Sequence, residues 1–225
     1  MTVQNHLALV EKEIEVACKK ANRLPSEITI VAVTKTVGDE KTKEVLRAGL
    51  KHIAENRPEG FSHKQEVFGD EAIWHYIGSL QTRKVKEIIN KIDYLHALDR
   101  MSLAKEIQKR AEKTIRCFLQ VKTSKEESKH GLSPEEAIQF VKELEAYDKI
   151  NVVGLMTMAP YTSNEEEIRT CFQTLKNIQS EIHSLHLPYA PCTELSMGMS
   201  NDYTIAIEEG ATFIRLGTIL VAEDH

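Results

Sequence analysis

The chain has 225 residues, with 29 Lys plus Arg against 34 Asp plus Glu and a formal net charge of −5. That length carries one large domain or two small ones with a real core, and the acidic balance argues against a nonspecific nucleic-acid binder, which needs a basic excess. Cys18, Cys117, Cys171 and Cys192 stand far apart with no CxxC pair, so zinc and disulfide frameworks are not expected and a reducing cytoplasm is; no apolar run approaches the ~18 residues of a membrane span.

At the N-terminus Leu7, Val10, Ile14, Ala17 and Ala21 mark one face of an amphipathic helix studded with Glu and Lys, which is not a signal peptide. Residues 28–35 are rich in Ile and Val and read as a strand buried on both faces, ending at Lys35. Lysine is rarely placed inside unless it is paired or reacting. Two readings stand at this point: a strand that happens to end on a lysine, or an amine in a semi-apolar pocket whose lowered pKa makes it a nucleophile toward carbonyls.

The pattern then alternates. A helix is predicted over 38–50, a strand over 52–56, and a weaker helix over 57–68, interrupted by Gly60. A strand over 74–78 precedes a helix over 82–92, with apolar residues at 85, 88, 89 and 92. Strands at 94–99 and 115–123 flank a helix at 101–113. The helix at 133–147 opens on a capping box, with Ser133 as cap, Pro134 at the first helical position and Glu136 three after the cap. A strand over 151–160, a long helix over 165–185, a strand over 193–200, a short helix over 201–210 and a strand over 212–221 complete the series.

Strict alternation implies a parallel sheet. Eight units in this length fit a single (β/α)8 TIM barrel, spanning 1–225 as one domain, with an extra N-terminal helix. A doubly wound open sheet is the alternative, but the first strand leads into KTVGDE rather than a GxGxxG phosphate turn.

In such a barrel, function sits at the C-terminal ends of the strands. Those ends carry Lys35, Glu55-Asn56, Gly78 with Gln81, Leu98-Asp99, Lys122-Thr123, Met156-Thr157-Met158, Met199-Ser200 and Arg215-Leu216-Gly217-Thr218. Strand ends meet loops, and loops are polar in any protein. Two ends are less ordinary. Gly198 and Ser200 precede a helix start, where free N–H groups and the helix dipole suit an anion. Arg215 lies inside a β-branched strand, with Gly217 and Thr218 next, a glycine for close backbone approach and a hydroxyl donor. A buried Arg needs an anion or an acceptor, and a structural salt bridge with Glu208 or Glu209 would also satisfy it. A reactive lysine beside a phosphate cradle points to a phosphorylated aldehyde, with pyridoxal 5′-phosphate (PLP) the obvious candidate. His52, His63, His75, His96 and His130 form no HxxxH pair and sit near no carboxylate at metal spacing, so no metal is expected. Cys192 lacks a base, and Ser196 and Ser200 are not in a GxSxG elbow. Met156, Met158, Met197 and Met199 are either core filler or the lining of a pocket around an aromatic ring.

AVTKT (32–36), AEN (54–56), HYIGSLQTRK (75–84), GLMTMAP (154–160), ELSMGMSNDY (194–203) and IRLGT (214–218) together resemble the pyridoxal phosphate homeostasis family, also called proline synthetase co-transcribed homologues. The resemblance implies a barrel similar to the N-terminal domain of alanine racemase. It implies PLP held as a Schiff base on Lys35, a role in holding and buffering PLP, and no established turnover. It further implies a phosphate grip from Ser200, Gly217 and Thr218, Arg215 facing the pyridine nitrogen, and Asn56, Ile77 and Met156 around the ring. Arg57 to Gly60 depart from the regular helix start expected after Asn56, which would alter the mouth of the pocket, and AEDH (222–225) stands where a longer tail is usual. A PLP-dependent racemase or decarboxylase is the competing reading; the racemase needs a tyrosine base from a second domain for which the eight units leave no room. A cofactor-free Schiff-base aldolase would place its lysine on the sixth strand, which ends GLMTMAP. The expected partners are PLP and apo PLP-dependent enzymes, with no nucleic acid or membrane, in a cytoplasmic monomer.

Overall fold

The computed structural model describes residues 2–124 and 130–222. Eight parallel strands close into a barrel in sequence order: β1 (Thr29–Val33), β2 (His52–Glu55), β3 (Ile73–Tyr76), β4 (Tyr94–Leu98), β5 (Ile115–Gln120), β6 (Ile150–Met156), β7 (Glu194–Ser196) and β8 (Phe213–Leu216). The seam joins β1 to β8 over four residue pairs, Thr29↔Phe213 to Ala32↔Leu216. The doubly wound alternative is thereby excluded, because an open sheet has two edges and this one has none.

The helices form the outer ring. They are α1 (Val3–Lys20), α2 (Asp39–Arg47), α3 (Pro58–Phe68), α4 (Val85–Ile88), α5 (Met101–Arg110), α6 (Pro134–Glu143), α7 (Glu165–His183), α8 (Tyr203–Glu208) and α9 (Thr218–Val221). In α1, Leu7, Val10, Ile14 and Ala17 are buried as their spacing predicts, and Ala21 is the C-cap. The α6 capping box is present in both directions: Glu136 N–H donates to Ser133 Oγ at 3.2 Å and Ser133 N–H to Glu136 Oε2 at 2.7 Å.

Three elements differ from the sequence pattern. Gly60 does not interrupt α3, which runs unbroken from Pro58 with Arg57 as N-cap; proline at the first position is pre-set for the helix, so the start after Asn56 is regular. Residues 82–92 form a 3₁₀ turn (Thr82–Lys84) and the single turn of α4, although Ile89 and Ile92 are buried as expected. Residues 218–221 belong to α9 and not to the eighth strand. The expectation about the tail past Ala222 lies outside the described residues.

Two apolar clusters result. One fills the layer between strands and helices. The other lies inside the barrel, where Val31, Val33, Ala54, Tyr94, Phe118, Met156 and Phe213 meet. Barrel interiors are usually filled by layers of Val, Ile and Leu. Here the interior also holds His75, His96, Ser196 and Arg215, all buried.

Candidate functional site

Of the residues given a cofactor role above, Lys35, Asn56, Ile77, Met156, Ser200, Gly217 and Thr218 lie at or past the C-terminal ends of their strands, and Arg215 is one residue short of the end of β8. Closure of the barrel therefore brings β1, β2, β3, β6, β7 and β8 ends to one rim. Lys35 is two residues past β1, in a turn closed by Val37 N–H donating to Thr34 O at 3.0 Å. It is exposed, not held in a semi-apolar pocket. At the end of β1, Thr34 N–H still donates to Ala54 O of β2 at 3.1 Å, and its hydroxyl donates to Glu55 Oε1 at 2.7 Å.

The buried amine at this rim belongs to Lys64 of α3, which the sequence reading passed over. Its Nζ donates to Glu55 Oε1 at 2.6 Å and to Thr34 O at 2.5 Å. Thr34, Glu55 and Lys64 thus lock β1, β2 and α3 together directly beneath the Lys35 turn.

Asn56 is half-buried, and its carbonyl accepts from Tyr76 Oη at 3.2 Å. The same carbonyl lies against Gly78, where a Cβ would approach it to 2.1 Å, so only glycine lets the β2 and β3 ends meet this closely. Ile77 packs partly buried on the interior cluster and Met156 is buried within it. Met158 and Met199 are exposed at the rim while Met197 is buried in the outer layer.

The β7 and β8 ends are tied to each other. Ser200 Oγ accepts from Ile219 N–H, in the first turn of α9, at 3.4 Å. Gly198, at φ +94°, turns the chain where a Cβ would stand 2.6 Å from Ala206 Cβ. Asp202 Oδ1 accepts from Met199 N–H at 2.6 Å, which holds the loop above the barrel. Gly217 caps α9, half-buried, and Thr218 follows, exposed.

Arg215 is 4% exposed. It does not pair with Glu208 or Glu209: both carboxylates are taken by Arg169, and Glu208 also by Lys20. Instead Arg215 Nη1 donates to Ser196 Oγ at 2.7 Å and Nη2 to Thr157 O at 3.0 Å. Both acceptors are neutral. Burial pulls the guanidinium down to about 10, the Asp202 carboxylate working against that, so the charge persists at neutral pH. A buried cation held by neutral oxygens at a rim with an anion-suited turn fits a ligand that is anionic and carries an acceptor atom on a ring.

The thiol at Cys192 is buried and pushed up to about 12 by desolvation, so it is no nucleophile. Among the described residues no group of three or more His, Cys, Asp or Glu is arranged to hold a metal, and no helix is long and apolar enough to cross a membrane.

Comparison with known proteins places this geometry. The family profile "Alanine racemase, N-terminal domain" matches residues 7–224. A pyridoxal phosphate homeostasis protein of Aquifex aeolicus is 38% identical, the match covering 99% of each chain. One of Haemophilus influenzae is 30% identical over 98% of this chain and 95% of its own. Among solved structures, PipY of Synechococcus elongatus, determined with PLP bound, superposes with a TM-score of 0.84 at 27% identity, covering 98% of this chain and all of that one. An alanine racemase of Clostridium difficile shares the fold, with a TM-score of 0.76 at 14% identity over 95% of this chain and 57% of its own. With near-complete coverage by its relatives and a closed barrel of the same build, the chain belongs to the pyridoxal phosphate homeostasis protein family.

Proposed function

We propose that the protein binds PLP at the C-terminal rim of its barrel, holding it as a Schiff base on Lys35, and that it stores and supplies the cofactor without turning over amino acids. The observation that carries this reading is the meeting, at one rim, of the Lys35 amine, the linked Ser200 and Gly217-Thr218 turns, and a buried Arg215 with neutral partners. The Lys35 ε-amine adds to the aldehyde carbon and water leaves. Ser200, Gly217 and Thr218 bind the phosphate, Asn56, Ile77 and Met156 surround the ring, and Arg215 meets the pyridine nitrogen. When bound, PLP supplies an electron sink. Arginine only donates hydrogen bonds and so favours an unprotonated ring nitrogen, which weakens that sink. A carrier gains from this, because the bound cofactor then resists onward reaction.

The chain works as one domain and a monomer, in the cytoplasm, with apo PLP-dependent enzymes as recipients. A racemase or decarboxylase would need a base opposite the lysine. Tyr76 and Tyr203 hydroxyls are already bound to Asn56 O and Glu13, and burial pushes Tyr76 up to about 12. The test is borohydride reduction of PLP-loaded protein followed by peptide mapping. A phosphopyridoxyl mass on the Lys35 peptide is expected; a label mainly on Lys64 or on no lysine overturns the assignment.

A further inference from the structure

Lys35 is carried on the connection between β1 and α2, and the residue before it is held at every polar atom it has. Thr34 N–H donates to Ala54 O at 3.1 Å, and the Thr34 hydroxyl to Glu55 Oε1 at 2.7 Å. Thr34 O accepts twice, from Val37 N–H at 3.0 Å and from Lys64 Nζ at 2.5 Å. A carbonyl oxygen has two lone pairs, so both are used.

The grip comes largely from α3. Two consecutive residues of that helix reach opposite ends of the connection. Lys64 takes Thr34 O where β1 ends, and His63 Nε2 lies 2.9 Å from Asp39 Oδ2 where α2 begins. The His63 contact is exposed and contributes little. The Lys64 contact is buried, together with its partner Glu55. The helix is itself a firm base. Phe61 is fully buried, edge-on to the Trp74 and Tyr76 rings of β3 at 5.6 and 6.4 Å. Gly60 leaves space for the carboxylate, since a Cβ there would lie 3.2 Å from Glu55 Oε2.

Stability alone is a weak reason for this pair. Desolvating two charges offsets most of their attraction, and well-packed apolar side chains of similar volume would join β2 to α3 as well or better. Apolar side chains cannot direct a hydrogen bond onto one chosen carbonyl. The bond from Lys64 to Thr34 O fixes the plane of the peptide that links Thr34 to Lys35. It thereby sets the direction in which the Lys35 side chain leaves the backbone.

We propose that Lys64 is a positioning residue for cofactor capture: with Glu55 and Thr34 it fixes the backbone from which the Lys35 amine reaches the aldehyde. The proposal rests on the Lys35 reading given above. In that step the Lys35 nitrogen bonds to the aldehyde carbon and the aldehyde oxygen leaves as water. Lys64 forms no bond to the cofactor, because an ammonium paired with a carboxylate has no lone pair to attack with. Its contribution is geometric: an exposed, flexible lysine starts from a fixed origin instead of a mobile turn. Orientation of this kind matters to rate, since a misplacement of about 1 Å costs about 100-fold.

The test separates reaction at Lys35 from binding at the rest of the rim. Lys64→Met with Glu55→Gln removes the bond to Thr34 O without leaving a buried charge, and the glutamine still accepts from the Thr34 hydroxyl. Two quantities are measured on ligand-free protein. One is the rate at which PLP forms its aldimine, by stopped-flow absorbance. The other is the affinity for 4′-deoxypyridoxine 5′-phosphate, which has a methyl group in place of the aldehyde and meets only the phosphate grip and the ring contacts. The double variant is expected to form the aldimine at least about 10-fold more slowly and to bind the deoxy analogue as the parent does. An unchanged rate, or a parallel loss of analogue affinity showing that the whole rim has loosened, overturns the proposal. If the double variant does not fold, Thr34→Val keeps the shape and removes the hydroxyl bond to Glu55; it is expected to change the two quantities in the same unequal way, and an unchanged rate again overturns the proposal. Borohydride mapping of the parent tells the two failures apart: a parent labelled on Lys35 with an unaffected variant sinks this inference alone, whereas a parent not labelled there sinks the Lys35 reading and this inference with it.

Discussion

Lys64 Nζ meets Glu55 Oε1 at 2.6 Å, and the two side chains are 6% and 3% exposed. A pair this deep is costly to break from one side, because the surviving charge stays buried. Lys64→Met is expected to lower stability by about 3–5 kcal/mol, read as a fall in the urea midpoint at constant slope. Adding Glu55→Gln recovers a substantial part. A single variant within about 0.5 kcal/mol of the parent, the range of ordinary surface changes, contradicts the burial argument.

Two glycines, one inside β6 and one at the rim, separate folding from binding. A Cβ at Gly154 would reach 1.9 Å from Glu194 O, backbone that cannot move aside, whereas one at Gly217 would rest 3.6 Å from Val33. Gly154→Ala is expected to cost about 1–3 kcal/mol or more. Gly217→Ala is expected to fold normally and to bind PLP more weakly, by equilibrium dialysis. Unchanged PLP affinity in Gly217→Ala removes that backbone from the phosphate grip.

Acid sensitivity follows from the buried imidazoles. His75 and His96 are fully buried and held well below 6.5, by desolvation first and neighbouring positive charge second. In the unfolded chain both take up protons near 6.5, so below that pH the unfolded state binds more protons than the folded one. Stability is then fully present above 6.5 and falls as pH drops, by up to about 1.4 kcal/mol per pH unit for each ring. Chemical denaturation from pH 8 to 5 reads this directly. A flat profile would mean that these rings are charged in the fold or solvated.

Arg215→Gln tests the ring-facing role. Its neutral partners, Ser196 Oγ and Thr157 O, accept equally from an amide, so the fold is expected to survive. Lys35 remains the borohydride-labelled residue, while the pH titration of the PLP absorbance shifts because the donor-only cation is gone. A folded variant with an unchanged titration excludes Arg215 from the cofactor site.

The centres of all eight strands were legible, because short, largely apolar runs alternate there with segments of helical spacing. The ends were not. Ile219, Leu220 and Val221 look like the end of a β-strand, yet Gly217 breaks the chain at φ −112° and ψ −94° and Leu220 and Val221 are buried as part of α9. Lys35, Ser200, Arg215, Gly217 and Thr218 could be picked out because polar or glycine residues interrupt apolar runs there. Lys64 sits in a helix rich in charge and reads as solvated; only the approach of α3 to Glu55 reveals it. His52, His75 and His96, in ring-to-ring contact through the barrel interior, stand at intervals of 23 and 21 residues, which suggest nothing in the sequence. Their relation exists only in the register of neighbouring strands.

Because β1 finds its second neighbour in β8, the sheet cannot close until the last strand has left the ribosome. Until then Thr29–Val33 is an edge, and the Lys35 amine stands without the turn that begins at Gly217. On the Lys35 reading proposed above, capture of the cofactor would then wait on closure of the barrel rather than begin on the first strand alone.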